Sequence, residues 1–146
     1  MGNNRIENTD FKKLIGKWKT EGRILKTDQN PEMKISGTDV YEMILGGFFI
    51  LHTADVIMGN EKSQTYEIIG LDKPNGQAIL QHYNNQGLSG KMTGIIKNND
   101  FKINGEGLRF YGQINNNDKE IAGTWEKLTD QNNWVSYLIM NFTKIE

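Results

Sequence analysis

Two histidines and one glutamate are the residues whose spacing in this chain could do chemistry. If Gly59-Asn60 closes a two-residue hairpin, Met58 faces Glu61 and, counting back, His52 faces Glu67. If Pro74-Asn75 closes the next hairpin, with Gly76 taking the unusual dihedrals, Lys73 faces Gly76 and Glu67 faces His82. His52, Glu67 and His82 then form one row across three adjacent strands, all pointing the same way. The outer strands of such a triplet lie roughly 9 to 10 Å apart, a span that imidazole side chains can bridge. A row of this kind could bind a metal through two His and one Glu, hold a carboxylate or carbonyl ligand, or transfer protons. The competing reading makes each histidine an isolated surface group or a hydrogen-bonded core group. A one-residue change in either loop sends a histidine to the opposite face, so the residues alone leave both readings open.

Other side chains suit a cavity. Trp18, Tyr41, Met92, Phe110 and Trp125 offer aromatic and flexible apolar surface for a small amphiphile, while Thr20, Asp39, Thr65 and Asn84 add polar candidates. Packing competes for the first group, above all for Trp18, and water-facing strand positions compete for the second. Nucleophilic catalysis has little to work with: four serines, no cysteine and no GxSxG elbow. Nor is there a phosphate loop or dinucleotide fingerprint; Gly46-Gly47 reads as a bend between strands.

The elements that must position these residues are almost all strands. TDFKKLI, residues 9–15, predicts one short helix capped by Thr9 or Asp10, with Phe11, Leu14 and Ile15 on one side. From Gly16 onward about ten strand-like segments follow: 16–26, 33–44, 47–58, 62–72, 77–85, 88–97, 100–106, 107–115, 119–128 and 133–144. Clustered asparagines such as Asn98-Asn99 and Asn115-Asn116-Asn117 separate them, and Asn tolerates the left-handed backbone of tight turns. Loops this short join antiparallel neighbours but cannot carry parallel crossovers. So long a meander leaves exposed edges unless it curls and closes, which predicts an all-β, up-and-down antiparallel barrel rather than a two-sheet sandwich.

Alternation supplies inside and outside. In the first strand Lys17, Lys19, Glu21 and Arg23 share one face, which turns Trp18, Thr20, Gly22 and Ile24 inward. Later strands agree, with Phe101 and Ile103 opposed to Lys102 and Asn104, and Ile121 and Trp125 opposed to Glu120 and Glu126. The third and last strands are apolar on both faces and call for an outer cover, either the N-terminal helix or a second subunit.

At 146 residues the chain is expected to form a single domain, 1–146, with residues 1–8 flexible. Seventeen Lys+Arg against eighteen Asp+Glu leave no field to gather nucleic acid. The absence of cysteine fits a reducing compartment. No apolar run approaches the roughly 18 residues of a membrane span, and MGNNRIENTD lacks the apolar core of a signal peptide. A soluble, cytoplasmic protein is expected, provided that residue 1 is the natural start.

A short helix followed by Gly16-x-Trp18 on the first strand of an antiparallel meander resembles the lipocalin and fatty-acid-binding superfamily, the calycins. LGGFFI (residues 45–50) and EIIGLD (residues 67–72) look like segments of an uncharacterised bacterial lipocalin-like family, a likeness that spans roughly residues 11–90. There are departures: no Thr-Asp-Tyr motif, no disulfide, and His82 where that family carries a tryptophan on its fifth strand. The resemblance implies the barrel, and with the residues above the leading reading is that it binds a small, mostly apolar or amphiphilic molecule, with His52, Glu67 and His82 at its polar end. Alternatives on the same fold are an acid-base enzyme (isomerase, cyclase or decarboxylase type), a haem-binding barrel with an axial histidine, and a homodimeric interaction module with a filled core. No cofactor is required, although haem or a metal at His52, Glu67 and His82 is compatible with the residues.

Overall fold

Short loops and two-residue alternation are satisfied together by a sheet that reverses at every loop and curls until its edges meet. The computed structural model of the chain, which describes residues 5–146, is such a sheet. Its strands are β1 (Gly16–Ile24), β2 (Met33–Ile44), β3 (Phe49–Met58), β4 (Glu61–Leu71), β5 (Ala78–Asn84), β6 (Ser89–Lys97), β7 (Asp100–Gly105), β8 (Leu108–Asn115), β9 (Glu120–Leu128) and β10 (Trp134–Lys144). Each pairs antiparallel with its neighbours in sequence, and β1 also pairs with β10, which removes the last free edge. The asparagine clusters do what their chemistry allows: Asn98, Asn99, Asn116, Asn117 and Asn132 all have positive φ in the turns. Between β2 and β3 the bend at Leu45–Gly47 is a 3-10 turn with φ of 70° at Gly46 and 89° at Gly47. It consumes two residues at the expected start of the third strand.

The N-terminal segment differs from the expected single helix. Ile6–Asn8 and Asp10–Leu14 are two 3-10 turns, joined at Thr9, whose hydroxyl donates to the Ile6 carbonyl at 2.7 Å and accepts the Phe11 N–H at 3.2 Å. Of the segment 1–8 expected to be flexible, residues 1–4 lie outside the described residues. Residues 6–8 instead form a turn with Ile6 fully buried, because docking an isoleucine on the barrel core repays its ordering.

Nor do these turns cover the outer apolar faces of β3 and β10. They close one end of the barrel: Ile6, Phe11 and Leu14 pack with Trp18, Ile50 and Ile69, and Phe11 meets Phe101 edge-on at 6.0 Å. Phe49, Ile57 and Val135 stay exposed outside. A second, smaller cluster of Ile35, Val56 and Met140 sits away from this plug. A cavity of about 340 Å³ is walled by members of both clusters. No helix among the described residues is long and apolar enough to cross a membrane.

Candidate functional site

The register of β2 to β6 lays out one continuous row. Tyr41 faces His52, His52 faces Glu67, Glu67 faces His82, and His82 faces Gly90. The two short hairpin loops set the central part of this row, as their lengths predict. All of its side chains are on the inner face and line the cavity.

What the row does chemically depends on a residue one step off it. Asp39 lies on β2 two residues before Tyr41 and points inward, so its carboxylate reaches diagonally to His52. His52 Nε2 bonds to Asp39 Oδ2 at 2.6 Å and His52 Nδ1 to Glu67 Oε1 at 2.9 Å. The Thr20 hydroxyl donates to the second oxygen of Asp39. Asp39 is 5% exposed and Glu67 7%, so two carboxylates are held inside the protein with a single imidazole between them.

Burial pulls the His52 pKa down, but the hydrogen bonds and charges of Asp39 and Glu67 outweigh it and push the value from 6.5 up to about 9. At neutral pH the ring is an imidazolium that donates one N–H to each carboxylate. Tyr41 stacks on that ring, with centroids 4.0 Å apart and planes 9° from parallel. Burial first, and then the charges of Asp39 and Glu67, raise the Tyr41 pKa well above its ordinary value, so the phenol stays protonated.

His82 stands apart from this network. It lies next to Glu67 in the row without bonding to it, and its Nδ1 is buried with no hydrogen-bond partner. The tautomer with its proton on Nε2 is the one that leaves no buried N–H unpaired at that atom. The ring lies over Gly90, where a β-carbon would stand 2.8 Å from Cε1 and 3.0 Å from Nε2. Gly90→Ala is therefore expected to displace the ring and to cost about 1–2 kcal/mol, the scale of modest overpacking. A shifted His82 ring resonance together with a lower urea midpoint would register it; unchanged ring signals would mean that the ring does not rest on Gly90.

The remaining wall is apolar. Phe110 packs against Trp125 with centroids 5.1 Å apart and against Phe101 at 5.5 Å. Gly112 and Gly123 leave room for the Phe110 ring, because a β-carbon at either would collide with it. Trp18, Tyr41, His52, Glu67, His82, Met92, Phe110 and Trp125, the candidates named from sequence, all line the cavity, as do Thr20, Asp39, Thr65 and Asn84. Within this set Trp18 is fully buried and its Nε1 donates to the Leu14 carbonyl at 2.8 Å, so it also belongs to the plug.

As a metal site, His52, Glu67 and His82 would have to point lone pairs at one ion, yet both nitrogens of His52 are committed to carboxylates and Glu67 turns to His52. Among the described residues no three His, Asp or Glu side chains are arranged to hold a metal ion. Ligation of haem iron by His52 would likewise break one of its two carboxylate bonds, which leaves His82 as the imidazole with a nitrogen to spare.

The same ten-strand chain is met elsewhere. The sequence pattern of DUF1579, described as protein of unknown function, matches residues 5–142. This chain belongs to the DUF1579 family. The match continues into the last strand, well beyond the residues 11–90 over which a family likeness was legible. No curated protein matches the chain in sequence. In structure, the DUF1579 chain is similar to the crystal structure of Rv2717c from M. tuberculosis, with a TM-score of 0.71 over 93% of this chain and 95% of that one. At 12% identity this likeness speaks for the barrel fold alone.

Proposed function

We propose that this DUF1579 protein binds a small, mostly apolar or amphiphilic molecule inside a calycin-like barrel, with the Asp39, His52, Glu67 and His82 wall orienting the polar end. The observation that carries this reading is the cavity itself: about 340 Å³ of space with ionised groups on one side and Phe101, Phe110 and Trp125 on the other. Burying a charged trio beside empty space is costly in a protein that only needs a filled core. Pockets for small ligands combine a mostly apolar lining with a few fixed polar groups, and this one has both. Affinity would come from the apolar body, at roughly 25 cal/mol per Å² removed from water, and orientation from the row.

An environment-sensitive apolar dye tests the reading. It is expected to bind with one-to-one stoichiometry, to quench Trp125, and to lose affinity when Ala54 on the inner face of β3 is replaced by Phe. Dye binding that is unaffected by Ala54→Phe would place the dye outside the barrel. A second reading, a homodimer through the outer face of the sheet, is favoured by the cross-strand pair Tyr66 and Tyr83, which are 61% and 55% exposed.

A further inference from the structure

We infer that the molecule held in this cavity carries a cationic amine head seated against Glu67, beside His82; this rests on the ligand-binding reading above and deepens it. Charge decides the sign of the head. Asp39 and Glu67 share one imidazolium, so the buried trio carries a net negative charge. None of the residues lining the cavity is Lys or Arg. An acidic head would therefore meet like charge in a poorly screened interior, where the one cation, His52, already gives both of its N–H groups to Asp39 and Glu67.

Hydrogen bonding decides the place. Both oxygens of Asp39 are used, one by Thr20 and the other by His52. Glu67 uses Oε1 on His52, and its Oε2 accepts no hydrogen bond among the described residues although the side chain is only 9% exposed. That oxygen is not among the buried atoms left without a partner, so it is open to the cavity, a strong acceptor within reach of a ligand. The neighbour along the row, His82, also lines the cavity, and its unsatisfied Nδ1 is buried, so that nitrogen meets a ligand only if the ring turns. An ammonium has three donors and no acceptor, which matches a wall that offers acceptors. Across the cavity Phe110 and Trp125 receive the apolar body.

Three probes with one chain and different heads test this: n-octylamine, n-octanol and n-octanoate, titrated calorimetrically into the intact protein at about pH 7. Octylamine is expected to bind at least roughly tenfold more tightly than octanol, the factor a single charge-assisted bond provides, with octanoate weakest. In Glu67→Gln the octylamine advantage over octanol should disappear. Octanoate or octanol equalling octylamine would overturn the amine head yet leave a ligand-binding barrel. An amine preference that survives Glu67→Gln in a folded variant would overturn the seat at Glu67. If none of the three binds, the ligand-binding reading falls and the inference with it. Should Glu67→Gln fail to fold, the wild-type ranking alone decides the charge of the head, and Thr65→Lys, which adds a cation one row away from Glu67, should reverse it.

Discussion

Raising the pH from about 6 to about 10 is expected to cost this protein on the order of 3 kcal/mol of folding stability, and most of that loss traces to His52. The unfolded imidazole titrates near 6.5 and the folded one near 9, because burial, which favours the neutral ring, is outweighed by the two carboxylates that need the charged one. A group whose folded pKa is raised binds its proton more tightly in the native state. Its contribution is therefore fully present below pH 6.5 and is lost as the pH rises through 9. Urea unfolding curves across that range read the effect directly. His52→Leu supplies the control: it leaves Asp39 and Glu67 buried without their cation, a loss of roughly 3–5 kcal/mol at neutral pH. The gap between wild type and variant should be widest below pH 6.5 and narrow towards alkaline pH. A gap that stays constant with pH would mean that His52 is held neutral and that the cluster is not an ion triad.

Asp39 is also where the sequence and the structure part company. His52, Glu67 and His82 could be aligned by counting because Gly59-Asn60 and the turn at Pro74–Gly76 are short, and short hairpins fix register. No such count reaches Asp39 from its partners. Its strand is joined to β1 by a long loop, residues 25–32, and to β3 through the 3-10 turn at Leu45–Gly47, and neither length fixes a pairing. Its contact with His52 is moreover diagonal, since the residue directly opposite Asp39 on β3 is Ala54. A signal was nevertheless present: Ile35, Asp39, Tyr41 and Met43 fall on one face of β2, and an acid within an otherwise inward apolar series must find a partner there. Sequence patterning marked Asp39 as polar and inward-capable without saying which cation it would meet.

The barrel was legible for a related reason. Loop brevity and alternation are local properties, and together they leave few topologies open. The N-terminal segment was harder because Phe11, Leu14 and Ile15 are spaced to suit a helix face as well as a short turn. Only the shape of the barrel end selects the turns, and that shape is assembled from β1 together with β3, β4 and β7, the last three far away in sequence. The same tertiary information decides that these residues close the barrel rather than cover its outer face.

Closing that end depends on one ring above all. Trp18 is fully buried, donates its indole N–H to the Leu14 carbonyl at 2.8 Å, and lies under the Lys144 ammonium, which is 4.9 Å from the ring centroid. It thereby ties the last N-terminal turn, the first strand and the end of the tenth strand into one packed unit. Trp18→Ala removes the largest buried side chain and leaves a hole that rigid strands cannot collapse into, so a loss of roughly 3–5 kcal/mol is expected in urea unfolding followed by far-ultraviolet circular dichroism. The hydrogen bond to Leu14 goes with it, and the turn at Asp10–Leu14 should become the first part of the chain to exchange its amide protons. Trp125→Ala gives the contrast. That ring is only partly buried and faces the cavity, so its loss should be felt more by a bound apolar probe than by the fold. If the two variants were equally destabilised and both still bound the probe, the division of the barrel interior into a packed end and a ligand chamber would not hold. If Trp18→Ala alone unfolds easily while Trp125→Ala alone loses the probe, the two tryptophans line one cavity and perform separate tasks, one in the packed end and one in the ligand chamber.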